Sequence, residues 1–151
     1  MDQSYLLFGC NSRLLALPAS MVIETLRLPE IDPIPDTPEY VRGVSLLRGE
    51  AVPIVDLGHL LQGAKSSESR RIITVRTTAG RRIGLLVSEV FHLISQDQVN
   101  LQDLPPLLHG ADETVIENLG RLDDAFLSVL KLGHVIPESL WQQLSSREES
   151  Q

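Results

Sequence analysis

The residues able to do chemistry in this chain are few, and their spacing gives them little to do. The histidines are His59, His92, His109 and His134. No two of them stand at i, i+4 or in a His-Glu-x-x-His arrangement, so no helical zinc pair is written locally. The single cysteine, Cys10, excludes an internal disulfide framework and a cysteine-based zinc cluster. Nothing beside it in sequence would activate a thiolate, so it reads as a small buried hydrophobe. Asp123-Asp124 could be a pair of acid–base carboxylates, but two turn-forming residues between apolar runs explain them as well. Gly-x-Ser-x-Gly, the phosphate-binding Gly-x-x-x-x-Gly-Lys-Ser/Thr and Gly-x-Gly-x-x-Gly are all missing, which removes the strong local signatures of hydrolases, NTPases and dinucleotide binders. The chain reads as non-enzymatic, with no catalytic residue, no metal and no cofactor.

The elements that would carry any site are short apolar runs separated by turn residues, a β pattern. The spacing predicts strands over Tyr5–Phe8, Leu14–Leu17, Met21–Leu28, Val44–Leu47, Ala51–Val55, Ile72–Arg76, Arg82–Val87, Val90–Ile94, Val115–Leu122 and Ala125–Leu132. A helical turn at Ala19-Ser20 leads into the third. Pro29, Pro33, Pro35 and Pro38 make a stiff loop, followed by one turn of helix at Pro38–Val41. Arg48-Gly49-Glu50 suits a tight hairpin, and Asp56 can cap a short helix through Leu61. Pro53 within a strand calls for an edge or a bulge. Gln62–Ser69 and Gln96–Glu113 read as loops. Pro137 opens an amphipathic helix carrying Leu140, Trp141 and Leu144, and residues 145–151 form a flexible, frayed tail. Trp141 either covers a barrel end or docks a partner.

With 151 residues, 13 basic against 20 acidic side chains and 42% apolar residues, the chain is long enough for a core without disulfides or metal. Charge is uneven. Residues 1–64 hold four basic and eight acidic groups, 65–95 six and two, and 96–151 three and ten. An acidic chain with six aromatics lacks the basic, stacking surface that nucleic acids need. No run approaches the roughly 20 apolar residues of a membrane span, and the N-terminus shows no secretory signal, so the expected location is cytoplasmic.

The stretch from Glu39 to Leu57, Glu-Tyr-Val-Arg-Gly-Val-Ser-Leu-Leu-Arg-Gly-Glu-Ala-Val-Pro-Ile-Val-Asp-Leu, resembles the CheW-like family of bacterial chemotaxis adaptors, whose pattern runs Val/Ile-x-Gly-Val-x-Asn-Leu-Arg-Gly-x-x-x-Pro-Val/Ile-x-Asp-Leu. Tyr5–Gly9 is similar to the family's first strand, Val22-Ile23-Glu24 to its Val-x-Glu segment and Ile83–Val90 to its Gly-hydrophobic-Val-Asp-x-Val block. The resemblance runs from about Tyr5 to Ile136. Leu46 stands where Asn is usual and Ser88 where Asp is usual, which fits a divergent paralogue serving an alternative pathway.

The resemblance implies an all-β fold with a few short helices: two five-stranded SH3-like barrels sharing a core, intertwined as one domain over residues 1–151. It implies a scaffold joining the cytoplasmic tip of a chemoreceptor to the regulatory domain of a CheA-type histidine kinase, without membrane insertion. The receptor side would be formed by Val22, Glu24 and Arg48, with Gly43 shaping the same groove for a helix. Strand alternation would put Val22 and Glu24 on one side. Arg48 would meet a carboxylate, either on Glu24 or on the receptor. The resemblance places the kinase surface at one barrel end and assigns no residue to it. The residues alone also admit an SH3- or OB-like barrel that binds a small ligand or another protein outside chemotaxis.

Overall fold

The strands of this chain are apolar on both faces, and the computed structural model, which describes residues 3–62, 71–77, 80–102, 115–133 and 135–149, shows why. Alternate residues of one strand feed different cores. Along β1 (Ser4–Cys10), Leu6, Phe8 and Cys10 enter a large central cluster, while Tyr5 and Leu7 enter a smaller one.

The remaining strands are β2 (Arg13–Pro18), β3 (Val22–Arg27), β4 (Val41–Leu47), β5 (Glu50–Asp56), β6 (Arg71–Arg76), β7 (Arg82–Val87), β8 (Glu89–Ser95), β9 (Asn100–Gln102), β10 (Ile116–Leu122) and β11 (Ala125–Leu130). The described residues add two α-helices, α1 (Leu57–Gln62) and α2 (Glu138–Glu149), and short 3-10 turns at Ala19–Met21 and Gln96–Gln98. It is all-β with a few short helices, as the sequence predicts. One sheet runs β8-β1-β2-β11-β10-β9 and the other β3-β6-β7-β5-β4. Each is mixed, with β11 parallel to β2 and β5 parallel to β7. Among the described residues the first sheet therefore has six strands rather than five. The extra one, β9, lies inside the stretch read as a loop from Gln96, and it pairs with β10.

The central cluster takes side chains from both sheets, among them Leu15 and Leu17 from the first and Val55, Ile73 and Leu85 from the second, and Leu140 and Leu144 of α2 close it. Each sheet's other face has its own small cluster: Leu7, Ala16, Ile94 and Leu127 on the first, Val52, Ile54, Ile72 and Leu86 on the second.

The proline-rich segment before β4 is an edge cover. Asp32 exchanges both backbone hydrogen bonds with Val44 at 2.8 Å, and Ser45 Oγ donates to the Glu30 carbonyl at 2.7 Å. This satisfies groups that an edge strand would otherwise leave open. Gly43, with φ 144°, lies directly beneath: a Cβ there would come within 2.2 Å of the Asp32 carbonyl oxygen.

Several expectations shift in detail. Pro38–Val41 forms one hydrogen-bonded turn, Val41 N–H to the Pro38 carbonyl, that runs straight into β4 instead of a helical turn. Strand β5 is interior, not an edge, yet Pro53 costs the ladder nothing. Val44 opposite it turns both backbone groups to Asp32, and pairing with β7 begins only at Ile54. Helix α2 continues to Glu149, through positions read as a frayed tail. The remainder of the loops expected at Gln62–Ser69 and Gln96–Glu113, namely residues 63–69 and 103–113, lies outside the described residues, as do His109 and His134.

Candidate functional site

The β4–β5 turn is tighter than the sequence suggests. Leu47 pairs directly with Glu50, leaving two residues between the strands. Both have positive φ, 51° for Arg48 and 78° for Gly49, the backbone of a type I′ hairpin. Gly49 adopts it freely. Arg48 occupies a position that usually takes Asn, Asp or Gly, and an L-residue with a long side chain enters the left-handed region at a cost.

What the side chain does there offsets that cost. Arg48 Nε donates to Glu24 Oε1 at 3.0 Å and to Oε2 at 3.1 Å, and Nη2 donates to Oε2 at 2.8 Å. The expected carboxylate partner is thus found on the chain itself. Arg48 is 69% exposed and Glu24 22%, so the carboxylate is the sheltered anchor and the guanidinium the displayed group. Glu24 is fixed from behind: its N–H donates to Thr74 Oγ1 and the Thr74 hydroxyl donates to the Glu24 carbonyl, both at 3.2 Å. The Arg48 hydrogen bonds hold the Glu24 carboxyl below the usual carboxylate range. Partial desolvation pulls it up, and the charges of Arg48 and Arg82 push it further down. Arg48 is raised by the same pair.

Val22 does not join them. Val22 stands opposite Val75 and Glu24 opposite Thr74, so β3 carries one extra residue between. That bulge reverses the alternation. Val22, half-buried, packs against the central cluster with Val75, whereas Leu26, two residues beyond Glu24, packs with Ile72 on the opposite face. The two residues expected on one side therefore lie on opposite sides. Gly43 is buried beneath Asp32, where it fits the edge cover against β4.

Beside this turn, Leu46 (65% exposed) shows apolar surface, and Leu28, just past the end of β3, is exposed as well. A second apolar surface lies on β8, which among the described residues pairs only with β1. The register there slips, with Leu6 opposite Leu93 and Phe8 opposite Val90. The extra residue in β8 falls at Phe91-His92, between these paired positions, and Phe91 and the neighbouring Leu93 stand exposed. A groove of about 560 Å³ runs from Phe91 past Ser88 and Glu89 to the β1–β2 turn at Asn11-Ser12. The sequence reading missed this surface, because a bulge leaves no compositional mark.

Elsewhere, Asp56 caps α1 as read from the sequence: its Oδ1 accepts from the His59 N–H at 3.2 Å and its Oδ2 from Arg42 Nη1 at 3.1 Å. Trp141 lies half-buried against the central cluster, with the Arg81 guanidinium 5.0 Å from its ring centroid. Arg81 also forms a bidentate pair with Glu138 at 2.7 and 2.8 Å, pinning α2 to the start of β7. Among the described residues no group of three His, Cys, Asp or Glu could hold a metal ion, and no helix is long and apolar enough to cross a membrane.

The exposed arginine, its sheltered carboxylate and the exposed Leu46 thus stand at one hairpin turn. Comparison with known proteins gives the following relatives. The CheW-like domain family matches residues 4–139. "Chemotaxis protein CheW" of Rhizobium meliloti (strain 1021) is 30% identical over 107 residues, covering 70% of this chain and 68% of that protein. The protein of the same name from Treponema pallidum (strain Nichols) is 23% identical over 144 residues, covering 92% and 85%. "Protein FrzA" of Myxococcus xanthus is 28% identical over 120 residues, covering 79% and 73%. The crystal structure of scaffolding protein TtCheW from Thermoanaerobacter tengcongensis superposes with a TM-score of 0.73 at 29% identity, covering 87% of this chain and 90% of that one.

Proposed function

The chain belongs to the CheW-like family, and from that premise we propose that it is a non-enzymatic scaffold coupling the cytoplasmic tip of a chemoreceptor to the regulatory domain of a CheA-type histidine kinase, in the cytoplasm. The observation that carries this reading is the Arg48–Glu24 pair: a guanidinium held in one geometry at a hairpin tip, mostly in solvent, on a backbone conformation that an arginine does not favour. A surface ion pair of this kind contributes little to folding, so its construction fits a group kept for a partner. Arg48 would meet a carboxylate on a receptor helix beside the apolar Leu46. The exposed apolar residues of β8 fit a second contact surface. Leu46, where the family usually has Asn, supports the paralogue reading, since it offers a partner an apolar side chain in place of an amide.

The test is Arg48→Ala. Affinity for a synthetic receptor-tip hairpin should fall at least about fivefold, the level at which an interface residue matters. Affinity for the kinase regulatory domain should stay within about twofold, the ordinary error of independent sites, and the melting temperature should hold. Unchanged receptor affinity would overturn the assignment, and a joint fall of both affinities with the melting temperature would make the pair structural.

A further inference from the structure

Arg82 opens β7 with a guanidinium largely removed from water, its side chain 12% exposed. Its Nε lies 3.6 Å from Glu50 Oε2, beyond hydrogen-bonding distance, and among the described residues no acceptor reaches that nitrogen. A cation so placed needs compensating negative charge close by.

The strand registers supply it. Arg82 pairs with Arg76 and lies two residues before Gly84, which stands opposite Thr74, and Thr74 stands opposite Glu24. Glu50 pairs with Leu47 and lies two residues before Val52. With a side-chain period of two, Glu24, Arg82 and Glu50 share the face of the second sheet that carries Leu47, Val52, Ile54, Ile72 and Leu86. With Arg48 at the turn, Glu24, Arg82 and Glu50 gather at one end of that face, where Arg76, opposite Arg82, turns its guanidinium to the Gly80 carbonyl. The Arg82 charge acts on the Glu24 carboxyl in the same direction as that of Arg48.

We propose that Arg82 is a positioning residue for the partner-binding pair: on the same face of the second sheet as Glu24, its charge acts across that face to favour the carboxylate placement in which Arg48 is held and presented. The proposal rests on the reading of Arg48 as a receptor contact. Without Arg82 the pair would be an ordinary exposed one, free to sample several geometries. With it, Glu24 has Arg48 in contact and a second cation on the same face, which narrows the places its carboxylate favours.

The experiment combines carboxyl NMR titration of Glu24 with affinity for the synthetic receptor-tip hairpin. In Arg82→Gln, Glu24 should titrate at higher pH than in the wild type, and affinity should fall about threefold or more, the lower range of coupling within one ionic network. Arg82→Lys, which keeps the charge, should restore the titration. In a Glu24→Gln background, Arg82→Gln should change affinity by less than about twofold, because the group it positions is gone. Should Arg82→Gln fail to fold, Glu50→Gln, at a more exposed position, carries the test with opposite sign: Glu24 should then titrate at lower pH. A Glu24 titration unmoved by these changes, or an equal affinity loss with and without Glu24, overturns the proposal. If the titrations move while the wild-type protein ignores the hairpin, the positioning role stands and the receptor assignment fails.

Discussion

At the open end of the β4–β5 hairpin Arg42 meets Asp56, and at its turn Arg48 meets Glu24. The first pair has one contact, at 3.1 Å, to a carboxylate that is 0% exposed, from an arginine that is 37% exposed. The second has three contacts and lies mostly in water. Counting hydrogen bonds ranks them one way and burial ranks them the other. A buried carboxylate stripped of its partners keeps its desolvation cost, whereas solvent screens an exposed pair. The same hairpin thus carries a structural ion pair at one end and an available one at the other.

The largest effect that would sharpen this contrast is expected at Asp56. Asp56→Ala removes the α1 cap and leaves Arg42 unpaired, so unfolding free energy should drop by about 2–3 kcal/mol, read by chemical denaturation. Asp56→Asn, which can still accept the His59 N–H, should lose less. A loss below that of Arg48→Ala would break the comparison.

Next in size is Gly43→Ala. The added carbon would press on the Asp32 carbonyl, displacing the edge cover from β4 at about 1–3 kcal/mol, the usual range for overpacking. Amide exchange at Val44, which donates to Asp32, should speed up, while the Arg48–Glu24 pair, at the far end of the strand, should keep its titration. Loss of both together would mean that the two ends are not separable.

The smallest effect is that of acid. Folding lowers the Glu24 pKa, so its stabilisation is present above the ordinary carboxylate range and is lost as pH falls through the depressed folded value. Receptor-tip affinity should show a step in that window that is absent from Arg48→Ala. Stability should change only slightly there, because Glu138, also lowered by its arginine, is an exposed contributor of the same kind.

Much of the fold was legible because hairpins announce themselves locally. The Arg48-Gly49 and Asp123-Asp124 turns both join the strands read on either side of them, and Asp56 caps α1 because a side-chain acceptor before a first turn is a local signal. What escaped depends on counts of one. A single extra residue in β3 sends Val22 and Glu24 to opposite faces, and another in β8 falls at the exposed Phe91-His92; neither changes composition. Arg81, Glu138 and Trp141 meet across distant segments, so only the folded chain brings them together. Of the residues read as one groove, Arg48 and Glu24 are joined, Val22 belongs to the core and Gly43 to the loop contact above it.

The order of strands has a consequence for how the chain is made. All five strands of the second sheet lie between Val22 and Val87, so that sheet can complete itself while later residues are still being synthesised. The first sheet cannot. Its β1–β2 hairpin emerges early but must wait for β8, and then for β11, whose Ser128 and Val129 pair with Leu15 and Ala16. These are long-range closures, slow to form, and until they form, the apolar edge of β2 stays open to wrong partners. A nascent chain stalled before β11 should therefore hold a finished half and a sticky one, and pulse-labelled translation intermediates would show protease resistance arriving in that order.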